Sequence, residues 1–347
     1  MTVDRKNSPA SPSNRFHQTH HAQAGHQHPG AWVVPPGRKM PALQPMPRGS
    51  GLTVVVNEAA GGAAQAQAWL QRALPSARLV AVKPSTRVSA AFDDQARVIA
   101  AEGGQALGVL GGDGSVNAAA GAALQAGIPL AVFPGGTLNH FASAAGLYTV
   151  ADTASAVERG EGEAVDVGLM NEPGADRPPR VFVNTFVLGV YADMVFLRDL
   201  LGRRCDRRIA TALALSLACS AARPFRVRLE GEHRKLWLLF VGNGIYRSHW
   251  RWESPARAGL SSGRLDVRLL DANGWRMHGR LAATLAHAAD APENWPLPER
   301  RLATGLDLDG LIGLRYAYDG ETADAPASLR LEVAHAVLPV YRPSRKI

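Results

Sequence analysis

Three short glycine-bearing loops hold the residues with the most chemical content. Gly111, Gly112, Asp113 and Gly114 follow an apolar run at 106–110 and lead into an Ala-rich stretch that opens with Ser115 and Asn117. Glycines let the backbone approach a ligand with no Cβ in the way. The N–H groups at the start of a following helix then turn partial positive charge toward a phosphate. Asp113 repels a phosphate directly, so it suits a site where Mg²⁺ or a substrate hydroxyl stands between the two. Taken alone, the loop reads equally well as a strand-to-helix turn with Asp113 as a cap. No Lys follows the glycines, as G-x-x-x-x-G-K-[ST] requires, and Val116 and Asn117 stand where G-x-G-x-x-G needs its last glycine.

The loop has company. Asn57 with Gly61 and Gly62, and Gly135 and Gly136 with Thr137 and Asn139, are small or hydrogen-bonding residues suited to phosphate or ribose contact. Near the end of the chain Asp319-Gly320-Glu321 reads, by itself, as a hairpin turn, because Asp-Gly is a favoured hairpin pair.

Strands must deliver these loops to one place. LTVVV (52–56), ALGVL (106–110) and PLAVF (129–133) each end at a loop, ARLVAVK (77–83) reads as a further strand, and 64–74 and 89–101 read as helices. That alternation predicts an α/β unit with parallel strands, in which ligands bind beyond the carboxyl ends of the strands. Past about residue 160 the pattern changes to short β-like runs, AVDVGLM, RVFVNTFVLGV, FRVRLE, KLWLLFVGN, GRLDVRLL, LRYAYDG and SLRLEV. Helical stretches are expected there only around 196–222 and 275–290. No fixed-period repeat is present, so the sequence does not support a solenoid or propeller.

With 347 residues, 46% of them hydrophobic, two domains are expected. The division is a His/Pro/Gly/Ser-rich disordered tail at 1–50, an α/β domain at 51–160 and a β-rich domain at 161–342. The tail lacks the layout of a secretory signal. Its His17, His20, His21, His26 and His28 could bind a metal, but no second set of ligands accompanies them. The most apolar stretch, 209–222, is interrupted by Thr211, Ser216 and Ser220, is too short to cross a bilayer and reads as a buried helix. Cys205 and Cys219 have neither disulfide-framework nor zinc spacing, which fits a reducing cytoplasm. A net charge of +8 favours an anionic partner. Interleaved basic and aromatic residues are missing, which argues against nucleic acid. The cluster Arg203, Arg204, Arg207 and Arg208 suits either anionic lipid or water.

In order along the chain, GGDGSVN, PGGTLNHFA, VGNG (241–244), GLSSGRLDV (259–267) and YDGE (318–321) resemble the diacylglycerol kinase catalytic family. The resemblance runs from about Leu52 to Arg342. It implies an NAD kinase-like α/β nucleotide-binding domain, a β-rich (β-sandwich) second domain whose end packs back on the first, and ATP in the cleft between them. It further implies an ATP- and Mg²⁺-dependent kinase acting on the hydroxyl of diacylglycerol or a related lipid alcohol, cytoplasmic and in reversible contact with the membrane surface. On this resemblance Asn57, Gly61, Gly62, Gly111, Gly112, Gly114, Ser115, Asn117 and Thr137 hold nucleotide, Asp113 faces the metal, and Glu321 takes the proton from the acceptor hydroxyl.

Three positions depart from the pattern. His140 stands where many bacterial lipid kinases have Asp, and it could touch a phosphate or start a helix, the latter being preferred. Ser261 and Ser262 replace an acidic pair that holds a structural Mg²⁺ in relatives, so that site is expected to be missing. Glu58 and Ala60 replace the usual Pro and Ser of the first loop. These changes keep a second reading open, a nucleotide- or lipid-binding regulatory protein of weak or no activity. An NAD kinase-like enzyme would carry an Asn-Asn-Glu motif, which is absent.

Overall fold

Four short strands order the first half of the chain: β1 (Leu52–Asn57), β2 (Arg78–Val82), β3 (Ala106–Gly111) and β4 (Leu130–Pro134). They pair in parallel in the order β2-β1-β3-β4. The computed structural model describes residues 42–83, 88–246, 257–272 and 299–344. All of these fall in one unit, Trp32–Ile347. The His-rich segment and the helix expected at 275–290 lie outside the described residues.

β1, β3 and β4 are apolar at nearly every position because helices cover both faces. Val54 and Val56 share a core with Leu70 of α1 (Ala63–Ala73) and Val157 of α5 (Val150–Arg159). Val55, pointing the other way, packs with Phe92 of α2 (Val88–Glu102) and Ala119 of α3 (Asp113–Ala126). Full burial of such a side chain stabilises by about 1.5–3 kcal/mol. α4 (His140–Ala144) is a single short turn after β4. The sequence reading omitted α5, although Thr149 and Asp152 form a capping box at its start.

The second half contains β5 (Gly162–Asn171), β6 (Arg180–Phe182), β7 (Thr185–Gly189), α6 (Val190–Leu201), α7 (Arg207–Ala221), β8 (Phe225–Leu229) and β9 (Glu232–Asn243). It continues with β10 (Leu265–Asp271), β11 (Glu299–Ala303), β12 (Gly305–Asp309), β13 (Arg315–Tyr318), β14 (Glu321–Asp324) and β15 (Ser328–Tyr341). Inward residues of these strands, among them Phe186, Leu239, Val267, Leu308 and Leu331, meet in a second core. The halves are continuous through β15, which runs antiparallel to β5 and β12 and ends parallel to β4, with Val340 opposite Leu130. Among the described residues all fifteen strands form one hydrogen-bonded network.

Two expectations change. Packed structure begins ahead of residue 51: Met46 is fully buried and donates its N–H to Val157 O at 2.9 Å, and Tyr341 Oη donates to Gln44 O at 3.0 Å. The stretch 209–222 is not a buried helix. α7 buries Ala210, Ala214 and Ala218 and leaves Ile209, Leu213 and Leu217 about half exposed, because small side chains let it pack closely on one face only.

Candidate active site

β1, β3 and β4 are in register, with Val56 opposite Leu110 and Leu110 opposite Phe133, so their three loops emerge side by side. Asn57 closes the first loop: its Nδ2 donates to Ser115 Oγ at 2.9 Å and its Oδ1 accepts Ala59 N–H at 3.0 Å. Gly112 is the N-cap of α3 and Asp113 its first residue. The third loop lies directly on the second. A Cβ on Gly136 would sit 2.5 Å from Gly112 Cα, and Gly135 N–H donates to Gly111 O at 3.0 Å.

Asn139 does not serve as a ligand contact. Its backbone takes φ 49°, its Oδ1 accepts Gly136 N–H at 2.9 Å and its Nδ2 donates to Gly136 O at 2.7 Å, so the side chain is spent on closing the loop. Asp113 does not cap its own helix. Its Oδ1 accepts Phe141 N–H at 3.3 Å, tying the start of α3 to the start of α4. His140 begins α4 and also lines the cleft. Burial, followed by Arg257, pulls its pKa below the ordinary 6.5 although Asp113 pulls it up, which leaves the imidazole neutral at pH 7.

The opposite wall is the β13–β14 hairpin. Asp319 (φ 46°) and Gly320 (φ 88°) are its two turn residues, and Tyr318 pairs with Glu321. Two successive positive φ values are what a tight type I′ hairpin requires. The same turn places two carboxylates. Asp319 is buried and accepts N–H groups from Val183 at 2.6 Å and from Asn184 and Thr185 at 2.8 Å each. Burial pushes its pKa up to about 7 against the pull of those donors. This contact explains why RVFVNTFVLGV is two strands, β6 and β7: Val183 and Asn184 give their N–H groups to a side chain rather than to a ladder.

Glu321 reaches across the cleft. Its Oε2 accepts from Tyr318 Oη at 3.3 Å, and its Oε1 lies 3.3 Å from where a Cβ on Gly114 would be. Burial first, and Glu321 second, push the Tyr318 hydroxyl up to about 12, so it remains a donor.

Between these walls is a cavity of about 740 Å³, in the range of small-molecule sites. Asn57, Gly61, Gly112, Asp113, Gly114, Ser115, Asn117, Thr137 and Glu321 all line it. Gly62 and Gly111 do not. Gly111 is needed for packing instead, since a Cβ there would lie 2.7 Å from Ser115 Cβ. Asn117 Oδ1 is buried with no hydrogen-bond partner among the described residues.

The second half adds wall residues that the motifs did not reveal, including Tyr191, Arg198, Phe240, Tyr246 and Arg268. Arg268 is held by Asp266, which also binds Arg300, each through a contact of 2.8–2.9 Å. Burial raises the pKa of Asp266, but the hydrogen bonds from Arg268 and Arg300 outweigh it and hold the group below its ordinary value. A signal for this existed in the alternation Arg264, Asp266, Arg268, which marks charges on one face of a strand. The remaining motifs are structural. Asn243 of VGNG donates to Asp166 O at 2.9 Å, and Gly263 of GLSSGRLDV donates its N–H to Asp166 Oδ2 at 2.7 Å.

Among the described residues no group of three or more His, Cys, Asp and Glu side chains could hold a metal by itself. Asp113, a carboxylate in this cavity, fits Mg²⁺, which is commonly bound by one or two carboxylates plus substrate phosphates.

Residues 51–170 match the diacylglycerol kinase catalytic domain. The match carries all three glycine loops and ends inside β5, so the hairpin bearing Glu321 lies beyond it. Among solved structures the chain is similar to a candidate diacylglycerol kinase from Bacillus anthracis str. Sterne, with 18% identity and a TM-score of 0.63. That likeness covers 85% of this chain and 97% of the other. It is similar also to a structure described as a diacylglycerol kinase from the same organism, with 17% identity, a TM-score of 0.60, and 85% and 98% covered. At this identity the shared property is the fold, a parallel α/β part followed by a β-rich part. No curated protein matches the chain in sequence. Among the described residues no helix is long and apolar enough to cross a membrane.

Proposed function

We propose that the chain is an ATP-dependent kinase that phosphorylates the hydroxyl of diacylglycerol or a related lipid alcohol. One observation carries this reading: Glu321 Oε1 faces Gly114 across a cavity whose other wall is three stacked glycine loops on the matched catalytic domain. A carboxylate poised over helix-start N–H groups fits a base beside a phosphate cradle.

The residues divide the work as follows. Asn57, Gly61, Gly112, Gly114, Ser115, Asn117 and Thr137 line the space for the nucleotide and orient its phosphates by backbone and side-chain hydrogen bonds. Asp113 would hold Mg²⁺ together with the nucleotide phosphates, and the ion would supply neutralisation of charge on the transferring phosphoryl oxygens. The acceptor oxygen bonds to the γ-phosphorus as the bond to the β-phosphate oxygen breaks, and its proton passes to Glu321 Oε1. Oε2 accepts from Tyr318, which leaves Oε1 to face the reaction. Asp319 is a positioning residue that ties the Glu321 turn to the start of β7. On this reading the protein uses cytoplasmic ATP and makes reversible contact with the inner face of a membrane.

The test is incubation of the purified chain with labelled ATP and Mg²⁺ and a panel of lipid alcohols, with NAD⁺ as a further acceptor. Label in a lipid supports the reading. Label in NAD⁺ alone, or ATP binding with no transfer to any acceptor, contradicts it.

A further inference from the structure

On the α6–α7 hairpin, a stripe of larger apolar side chains on α7 and Leu200 at the end of α6 face outward. α7 spends its small residues Ala210, Ala214 and Ala218 on the interior, while Ile209, Leu213 and Leu217 are 55%, 47% and 49% exposed. Spacings of four place these three on one stripe. Near the end of α6, Leu200 is 49% exposed as well. A helix folded only for its own core would bury the leucines and expose the alanines.

Charge narrows what covers this stripe. Arg203 and Arg204, in the loop joining the helices, are exposed. Residues 200–223 contain five Arg and one Asp. A second copy meeting this patch about a two-fold axis would set arginines against arginines. Apolar side chains bordered by cations match the boundary of an anionic bilayer, where acyl chains and negative headgroups adjoin. Position agrees, because Tyr191 and Arg198 of the same helix α6 line the cavity.

We propose that the α6–α7 hairpin is a docking face for an anionic lipid bilayer. Ile209, Leu213, Leu217 and Leu200 enter the acyl boundary, and Arg203 and Arg204 meet the headgroups. The face brings the α6 wall of the cavity to the membrane, and in that purpose it rests on the lipid-kinase reading; the binding itself does not need catalysis.

The test is sedimentation of the full chain with vesicles, without ATP. One set mixes phosphatidylglycerol with phosphatidylcholine and the other is phosphatidylcholine alone. The wild type is expected to partition into the anionic set, less at high salt. Each arginine near such a surface strengthens partition about fivefold, so the pair R203E/R204E should lower it about 25-fold or more. L213E/L217E should lower it by about tenfold or more. Ile312, 78% exposed and outside the hairpin, provides the control: I312E should bind as wild type. All positions are exposed, and thermal melting checks that the variants fold. The proposal is overturned if the wild type ignores anionic vesicles, if both hairpin variants bind as wild type, or if I312E loses binding equally. It is overturned too if L213E/L217E splits a wild-type dimer while vesicle binding stays unchanged. Turnover of a short-chain, monomeric lipid alcohol is measured in parallel. Turnover without vesicle binding sinks the docking face alone; vesicle binding without turnover sinks the kinase reading alone.

Discussion

Gly114→Ala separates stability from function. Gly114 is the second residue of α3, and its φ is not positive, so alanine suits its backbone. Replacing a helical glycine by alanine stabilises by about 0.5–1 kcal/mol. For a chain of this size that raises the melting temperature by about 1–3 °C. The new Cβ would meet only Glu321 Oε1, at 3.3 Å, the free end of a flexible and exposed side chain that can swing aside. Moving that carboxylate and narrowing the phosphate cradle is costly for catalysis, since a shift of about 1 Å can cost about 100-fold. The expected loss in kcat/KM is about ten- to a hundredfold, equivalent to about 1.4–2.7 kcal/mol of transition-state stabilisation. Calorimetric melting and steady-state phosphorylation at varied ATP give both numbers from one preparation. A variant that melts higher and turns over like the wild type would refute the placement of Glu321 Oε1 over the helix start in the reacting enzyme.

Further outcomes follow from the same geometry. Gly136→Ala drives a Cβ to 2.5 Å from Gly112 Cα, so the loops must part; ATP affinity by titration calorimetry should fall about tenfold, with a stability loss of about 1–3 kcal/mol in urea. Asp319→Asn sets an amide donor among three N–H donors and should cost about 1–3 kcal/mol and lower kcat with it; an unchanged urea midpoint would contradict the role given to those contacts. His140 has a native pKa below 6.5, so as pH falls below 6.5 the unfolded chain takes up a proton that the native chain refuses, and stability declines until the lowered native value is reached. Above pH 6.5 this group adds no slope. Urea midpoints from pH 8 to pH 5 should show that decline in the wild type and less of it in His140→Gln.

What the sequence made legible was local. LTVVV, ALGVL and PLAVF fall on β1, β3 and β4 within one residue, because strands buried on both faces are apolar without interruption. The glycine loops could be located for the same reason: small residues directly after such strands are conspicuous. The use of each loop residue was harder to read. Asn139 looked like a ligand contact and is a loop clasp, since an amide side chain satisfies a backbone turn as readily as a ribose. The three N–H donors to Asp319 lie more than 130 residues away in the chain, and no local pattern encodes such a meeting. The wall built by Tyr191, Phe240, Tyr246 and Arg268 was hidden likewise, as aromatic residues in β runs look the same whether they face a core or a cavity. For α7 the composition said apolar and thereby buried, whereas Ile209, Leu213 and Leu217 face outward.

The central claim is transfer of phosphate to a lipid hydroxyl with Glu321 as base. Mass spectrometry of a lipid-alcohol panel after incubation with ATP and Mg²⁺, comparing wild type with Glu321→Gln, tests it most directly. The account predicts a phosphorylated lipid formed by the wild type and formation slowed about 10²- to 10⁴-fold in Glu321→Gln, with ATP binding retained. No phosphorylated lipid across the panel, or equal rates in the two proteins, would contradict it.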